Sequence, residues 1–317
     1  MTSSVIAPTK PRALRPGSTL AILSPASTPK SDLVHRGIEH LHSLGYKTHL
    51  GAHALDSGPL YYAGRLEDRL DDFHAAFADP AIDGIVCTRG GWGSAELLPH
   101  LDVGLIRANP KIFVGYSDHT SLHCWLRNEA NIVTFYGPMA AADFSREDGV
   151  DITSWQHSFQ GDSSWSVGIA EGLRVLKPGL AHGQFTGGCL SIFAEGLGTP
   201  YSPRIDTSSI LFLEDIGTKP YQWDRMLLHL CYSGLLEKVT GIVFGDMHQC
   251  VATEEFDFLD RAILHALRDF AGPVAIGLRS GHVGVSNVTL PLGIQASLDL
   301  TETGNPRMHF LEAAVTV

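Results

Sequence analysis

Along the first half of the chain, the spacing of apolar residues switches repeatedly between short unbroken runs and a helical period. Thr19 to Leu23 is an apolar run that ends at Ser24-Pro25, and the segment after it sets Leu33, Val34, Ile38, Leu41 and Leu44 on one helical face before Gly45 stops it. Leu66, Leu70, Phe73 and Phe77 recur at spacings of three and four, which predicts a second amphipathic helix. Ile82 to Thr88 and Ile112 to Tyr116 read as buried strands, with a short helical stretch near Ala95 to Leu98 between them. Strands alternating with helices predict a parallel sheet covered by helices, with its ligand site off the carboxyl ends of the strands. The loop Arg89-Gly90-Gly91-Trp92-Gly93 and Ser117 both fall at such ends.

From about Ala141 to Gly172 the period is lost and Asp, Ser, Gly and Trp accumulate, which predicts a linker over residues 151–172. It would join a domain at 1–150 to one at 173–317. Strand-like runs follow at Leu173 to Leu176, Ile210 to Leu213, Gly241 to Phe244, Val274 to Ile276, Val288 to Leu290 and Ile294 to Leu300. Helical patterns intervene around Leu190 to Leu197, Trp223 to Tyr232 and Phe256 to Phe270, so the second half reads as a separate mixed α/β domain. There is no internal repeat.

Composition narrows the function classes. A chain of 317 residues, 44% hydrophobic, has enough apolar material for a full core and enough length for two domains. A net charge of -11 with no Lys/Arg cluster argues against a nucleic-acid partner. The five cysteines, Cys87, Cys124, Cys189, Cys231 and Cys250, form no CxxC pair, so neither a disulfide framework nor a zinc ribbon is expected. The proline-broken N-terminal stretch lacks the apolar core of a secretory signal, and no run approaches the roughly 18 apolar residues of a membrane span. The expected location is the cytoplasm, with no membrane partner.

Ser117 stands where an apolar strand run meets a polar helix start, a corner that suits a nucleophile. The backbone N–H of Asp118 would then point at a developing oxyanion. The competing reading is that Ser117 caps the helix running on through Leu122, Trp125 and Leu126. The glycine loop lets backbone N–H groups approach a negative oxygen, although it is neither a Walker loop nor GxGxxG. Glu214 and Asp215 end a strand, where neighbouring residues point to opposite faces, so one of the two serves a site or both pair with Arg225. His282 lies in a glycine-flanked loop that suits a general base or an idle histidine. His119 and His123 have the helical spacing of a metal pair but no glutamate between them, and no metal is expected.

The ordered strings TRGGWGS (88–94), VGYSDHTSLH (114–123), YGPM (136–139), TGGCLS (186–191), LFLEDIG (211–217), YQWDRML (221–227) and SGH (280–282) resemble the LD-carboxypeptidases. These are serine peptidases that include murein tetrapeptide carboxypeptidase and the microcin C immunity hydrolases. The resemblance implies an N-terminal flavodoxin-like domain, related to class I amidotransferases, and a smaller C-terminal swivelling-type β/α domain. It also implies a triad of Ser117 as nucleophile, Glu214 as orienting acid and His282 as base, with the oxyanion between the N–H groups of Asp118 and Gly91 and no cofactor.

The implied substrate is a murein tetrapeptide that loses its terminal D-alanine in peptidoglycan recycling, and the implied assembly is a homodimer. A free terminal carboxylate calls for a cation, for which Arg89, Arg225 and Arg279 are candidates. The immunity branch would instead cleave aminoacyl adenylate analogues, with Trp92 as a shelf for the base or a cover over the site. Two other classes compete: a noncatalytic small-molecule binding protein using the same cleft, and a cysteine amidotransferase.

Overall fold

The computed structural model describes residues 7–317; the first six, part of the N-terminal stretch discussed above, lie outside the described residues. Unbroken apolar runs become strands buried on both faces. These are β1 (Thr19–Leu23), β3 (Gly84–Cys87) and β4 (Ile112–Gly115), to which β2 (Lys47–Leu50) and β5 (Thr134–Tyr136) are added. All five pair in parallel in the order β5-β4-β3-β1-β2. That is the flavodoxin-like order, and it puts the loops after β1, β3 and β4 at one edge. The predicted helices form as Ser31–Ser43 and Leu66–Ala78, burying Val34 and Leu41, and Phe73 and Phe77.

The second half supplies β6 (Trp165–Val167), β7 (Arg174–Lys177), β8 (Leu180–Cys189), β9 (Ser209–Glu214), β10 (Val239–Gly245), β11 (Val274–Leu278), β12 (Leu290–Leu292), β13 (Gln295–Asp299) and β14 (Arg307–Phe310). Eight of these make the second sheet, in the order β6-β14-β13-β8-β9-β10-β11-β7. Its centre, β8 to β11, is parallel and its flanks are antiparallel. The half expected to be smaller therefore carries the wider sheet. The remaining strand, β12, crosses back and pairs antiparallel with β5.

The stretch expected to be a linker is structured. It holds the helix Ile152–Phe159, capped by the Asp151 carboxylate, which accepts the Ser154 N–H at 2.8 Å, and then β6. The helix has only eight residues, too few for its period to stand out. Trp155 and Phe159 are nevertheless fully buried, and each large apolar side chain so buried contributes about 1.5–3 kcal/mol.

One core runs through both sheets, joining Phe113 and Phe135 to Phe185, Phe212 and Leu298. A second cluster packs Leu213 and Phe244 under the helices Pro220–Tyr232 and Phe256–Ala266 through Trp223, Leu227 and Ile263. Tyr136 of β5 packs on Phe212 of β9 at 5.6 Å, which links the two sheets near the strand ends that carry Ser117 and Glu214. No helix among the described residues is long and apolar enough to cross a membrane.

Candidate active site

Ser117 follows β4 with φ +65°, a left-handed conformation that costs a non-glycine residue strain and turns the chain sharply into the helical segment beyond. Ser117 is the first residue of the turn Ser117–His119, whose N-cap position is Tyr116, and the next helix has His119 at its N-cap, so Ser117 does not occupy the cap position of either. The N–H of Ser117 donates to the Tyr136 hydroxyl at 3.1 Å, and that hydroxyl donates to Glu214 Oε1 at 2.5 Å. Gly90 lies directly over the serine: a Cβ there would sit 2.9 Å from Ser117 Oγ.

Glu214, at the end of β9, is 1% exposed, yet its carboxylate is fully used. Besides Tyr136 it accepts the backbone N–H of His282 at 3.0 Å and meets His282 Nδ1 at 2.8 Å. An ionised carboxylate only accepts, so Nδ1 carries the hydrogen and Nε2 is left with its lone pair. Burial pushes the Glu214 carboxyl toward its protonated form, but the charge of His282 and the hydrogen bonds from His282 and Tyr136 outweigh it and hold the carboxyl below its ordinary value. For His282, burial disfavours the cation, while the charge and hydrogen bond of Glu214 prevail and raise it above 6.5.

The histidine loop is held tightly. Gly281, at φ +89°, packs its Cα so close to Glu214 that a Cβ would lie 2.4 Å from the carboxyl carbon. Asn287 clamps the same residue, accepting the Gly281 N–H at 3.1 Å and donating to its carbonyl at 3.0 Å. The Tyr116 ring meets the His282 ring edge-on at 5.1 Å, which brings the histidine beside the residue preceding Ser117. Among the described residues Ser117 Oγ itself has no hydrogen-bond partner, and the Ser117–His282 bond is not made in this structure.

Neighbouring groups have other tasks. The Asp118 carboxylate turns away from the site, accepting the Ser94 N–H at 2.8 Å; burial raises it to about 6 against that bond and the nearby Arg69 charge. Asp215 likewise turns away, to the N–H groups of Ser191 and Ile216, so of the carboxylate pair only Glu214 meets His282. Arg225 pairs with neither; it stands over the Tyr221 ring at 5.9 Å. Gly91, at φ +111°, packs on Ser27, and among the described residues its N–H has no acceptor. Trp92 is tied through its backbone to Ser27 Oγ.

Arg89 is exposed, with neither ion pair nor hydrogen bond among the described residues. The side chain of Arg279 runs beside Gly172, and its buried Nε has no partner. His123 Nε2 is taken by the Gly115 carbonyl at 2.8 Å, and burial lowers His119 and His123 to about 3 and about 4. Burial and the charge of Asp118 push the Cys87 thiol well above its ordinary value, which removes it as a thiolate nucleophile. Sequence reasoning missed Tyr136 and Asn287 as parts of the site; only the string YGPM pointed toward the first.

The sequence and the fold have known relatives. The profile of the LD-carboxypeptidase N-terminal domain matches residues 20–137, and that of the C-terminal domain matches residues 182–298. The chain is 36% identical to the probable murein peptide carboxypeptidase of Bacillus subtilis over 300 residues, covering 92% of each. The crystal structure of muramoyltetrapeptide carboxypeptidase from Oxalobacter formigenes superposes with a TM-score of 0.80 at 30% identity, covering 94% of this chain and 100% of that one. The wild-type microcin C7 self-immunity protein MccF shares the fold, with a TM-score of 0.87 at 24% identity over 98% of this chain and 100% of that one. With both of its domains matched and a relative this similar along nearly its whole length, the chain belongs to the LD-carboxypeptidase family.

Proposed function

We propose that this carboxypeptidase hydrolyses the amide bond between the L-centre of a diamino acid and the terminal D-alanine of a murein tetrapeptide. Ser117 is the nucleophile, His282 the general base and Glu214 its orienting acid. The observation that carries the reading is the hydrogen-bonded series from the Ser117 N–H through Tyr136 and Glu214 to His282.

His282 Nε2 takes the proton from Ser117 Oγ as the oxygen attacks the carbonyl, and the imidazolium formed is stabilised by the buried Glu214 carboxylate. The N–H groups of Asp118 and Gly91 receive the oxyanion, each such donor typically being worth about 100- to 1,000-fold in rate. His282 then gives its proton to the amine of the departing D-alanine, and water releases the acyl group by the same route. Arg89, unpaired at the glycine loop, is the proposed anchor for the terminal carboxylate. The reading includes a homodimer working in the cytoplasm in peptidoglycan recycling.

The test is release of alanine from tetrapeptides ending in D- or L-alanine, run beside an aminoacyl sulfamoyl adenosine. Release from the D-isomer at a kcat/KM about 100-fold above the L-isomer is expected, because the wrong methyl misaligns the carbonyl. Cleavage of the adenylate analogue alone would move the protein to the immunity branch.

A further inference from the structure

A strap over residues 139–150, which follows β5, touches both loops of the site. Near its start the N–H groups of Ala140 and Ala141 donate to the carbonyls of Cys87 and Thr88, at 3.0 and 2.8 Å, just before the glycine loop. At its other end the Gly149 carbonyl accepts the N–H of Asn287 at 2.9 Å, and Asn287 is the residue that clamps Gly281. Gly149 folds back so closely that a Cβ would lie 2.0 Å from the Asp143 carbonyl oxygen. The glycine loop and the histidine loop are thus joined by one short, tightly folded segment.

Asp143 stands in the middle of this strap. It is 1% exposed, and each carboxylate oxygen has a donor: Oδ2 accepts the Met139 N–H at 3.0 Å, and Oδ1 accepts Arg146 Nη2 at 3.1 Å. The same Nη2 donates to the Val285 carbonyl at 3.3 Å, in the loop that carries His282. The Tyr116 hydroxyl and the Asn287 amide also face the carboxylate, and the Tyr116 ring is the one that meets His282 edge-on. Burial raises Asp143 to about 6 against the Met139 N–H and the Arg146 charge, so at neutral pH it is an anion.

We infer that Asp143 is a positioning residue for the histidine: acting through Arg146, Asn287 and Tyr116, its carboxylate sets where His282 stands beside the Ser117 corner, and its charge favours the imidazolium that proton transfer creates. The inference rests on the reading of His282 as the base. An asparagine cannot take over the task, because its NH2 end would face either the Met139 N–H or the Arg146 guanidinium, donor against donor. The other charged or titratable groups around the histidine are Glu214 and Asp215, at and just after the end of β9, and His248, beside Gly284 of the same loop.

The test is kcat and KM against pH for Asp143→Asn, Arg146→Met and the double variant. The substrate is the D-alanine tetrapeptide, or the aminoacyl sulfamoyl adenosine if the wild type cleaves that instead. Asp143→Asn should lower kcat by about 10-fold, the cost of a displacement smaller than the roughly 1 Å worth 100-fold, and change KM by less than about twofold. Its acid midpoint should move down, since one charge favouring the imidazolium is gone. Arg146→Met keeps the carboxylate but frees the Val285 carbonyl; it should lower kcat by about 3- to 10-fold, and the double variant should lose no more than Asp143→Asn alone. Wild-type kcat in Asp143→Asn, a lowered kcat with an unmoved midpoint, or losses that simply multiply would overturn the inference and leave the carboxypeptidase reading standing. Should Asp143→Asn fail to fold, wild-type kcat in Arg146→Met overturns it. A wild-type enzyme that cleaves neither substrate overturns the reading and the inference together.

Discussion

Tyr136 donates its phenolic hydrogen to Glu214 at 2.5 Å, and the same oxygen accepts the Ser117 N–H at 3.1 Å. One hydroxyl thus ties the strained backbone of Ser117 to the carboxylate that meets His282 Nδ1. Tyr136 is fully buried, and burial, reinforced by the charge of Glu214, raises its hydroxyl well above its ordinary value, so it remains a donor. In the proposed mechanism it would be a positioning residue.

Tyr136→Phe should therefore lower kcat by about 10- to 100-fold, because it takes the partner from the half-buried Ser117 N–H and from one buried Glu214 oxygen. Losing the Tyr136 bond also lets Glu214 rise, so the pH profile should shift as well as the rate. Steady-state kinetics across pH reads both effects. A variant with wild-type kcat and profile would reduce the tyrosine to core packing.

Replacing Ser117 by alanine should lower turnover by at least about 10⁴-fold with the fold intact, as loss of a nucleophile in a cooperating unit does. Alanine at φ +65° carries the same backbone strain as serine, so circular dichroism and Tm should change little. A tenth of the activity surviving would remove Ser117 from the chemistry.

The pH dependence follows from His282. The base must be neutral, and Glu214 raises it above 6.5, so kcat/KM should fall on acidification with a midpoint above pH 6.5. Glu214→Gln should move that midpoint down, since burial is then opposed only by the weaker charges of Asp215 and Asp143. Stability has the opposite sign: a raised histidine contributes stability that is fully present below its unfolded value near 6.5 and lost as pH rises through the folded value. Activity gained and stability lost over the same window, read by kinetics and by Tm against pH, is the expected pair. An acid limb unmoved by Glu214→Gln would assign it to another group.

Much of this site is legible in the sequence because its parts lie at element ends. The run Ile112 to Tyr116 predicts β4 and hence the corner at Ser117, and strand alternation leaves one carboxylate of Glu214 and Asp215 for the site. The missed parts depend on pairings between distant segments. β8, with Gly183, Gly187 and Gly188 in its sequence, does not read as a strand, although a Cβ at Gly187 would lie 1.8 Å from the Phe212 carbonyl oxygen. β12 belongs to the first sheet only because the chain crosses back to β5, which no local pattern announces. Asn287 is invisible for the same reason: its task is to hold Gly281, across a loop whose shape the sequence does not state.

Gly90 offers the sharpest test of the serine's surroundings. An alanine there would place its Cβ 2.8 Å from Ser117 Cβ and 2.9 Å from Oγ, nearer than real Cβ contacts come, so the glycine loop or the serine must move. The Gly90 backbone does not lie in the left-handed region, so the substitution disturbs the nucleophile without straining the chain. A displacement of about 1 Å at a reacting atom costs on the order of 100-fold in rate. Gly90→Ala should therefore lower kcat by about 100-fold while Tm shifts little, and Gly304→Ala, with nothing within 4 Å of its new methyl, should change neither. Full activity in Gly90→Ala would mean that the loop yields without moving Ser117, and its N–H groups could then not be the fixed donors that an oxyanion requires.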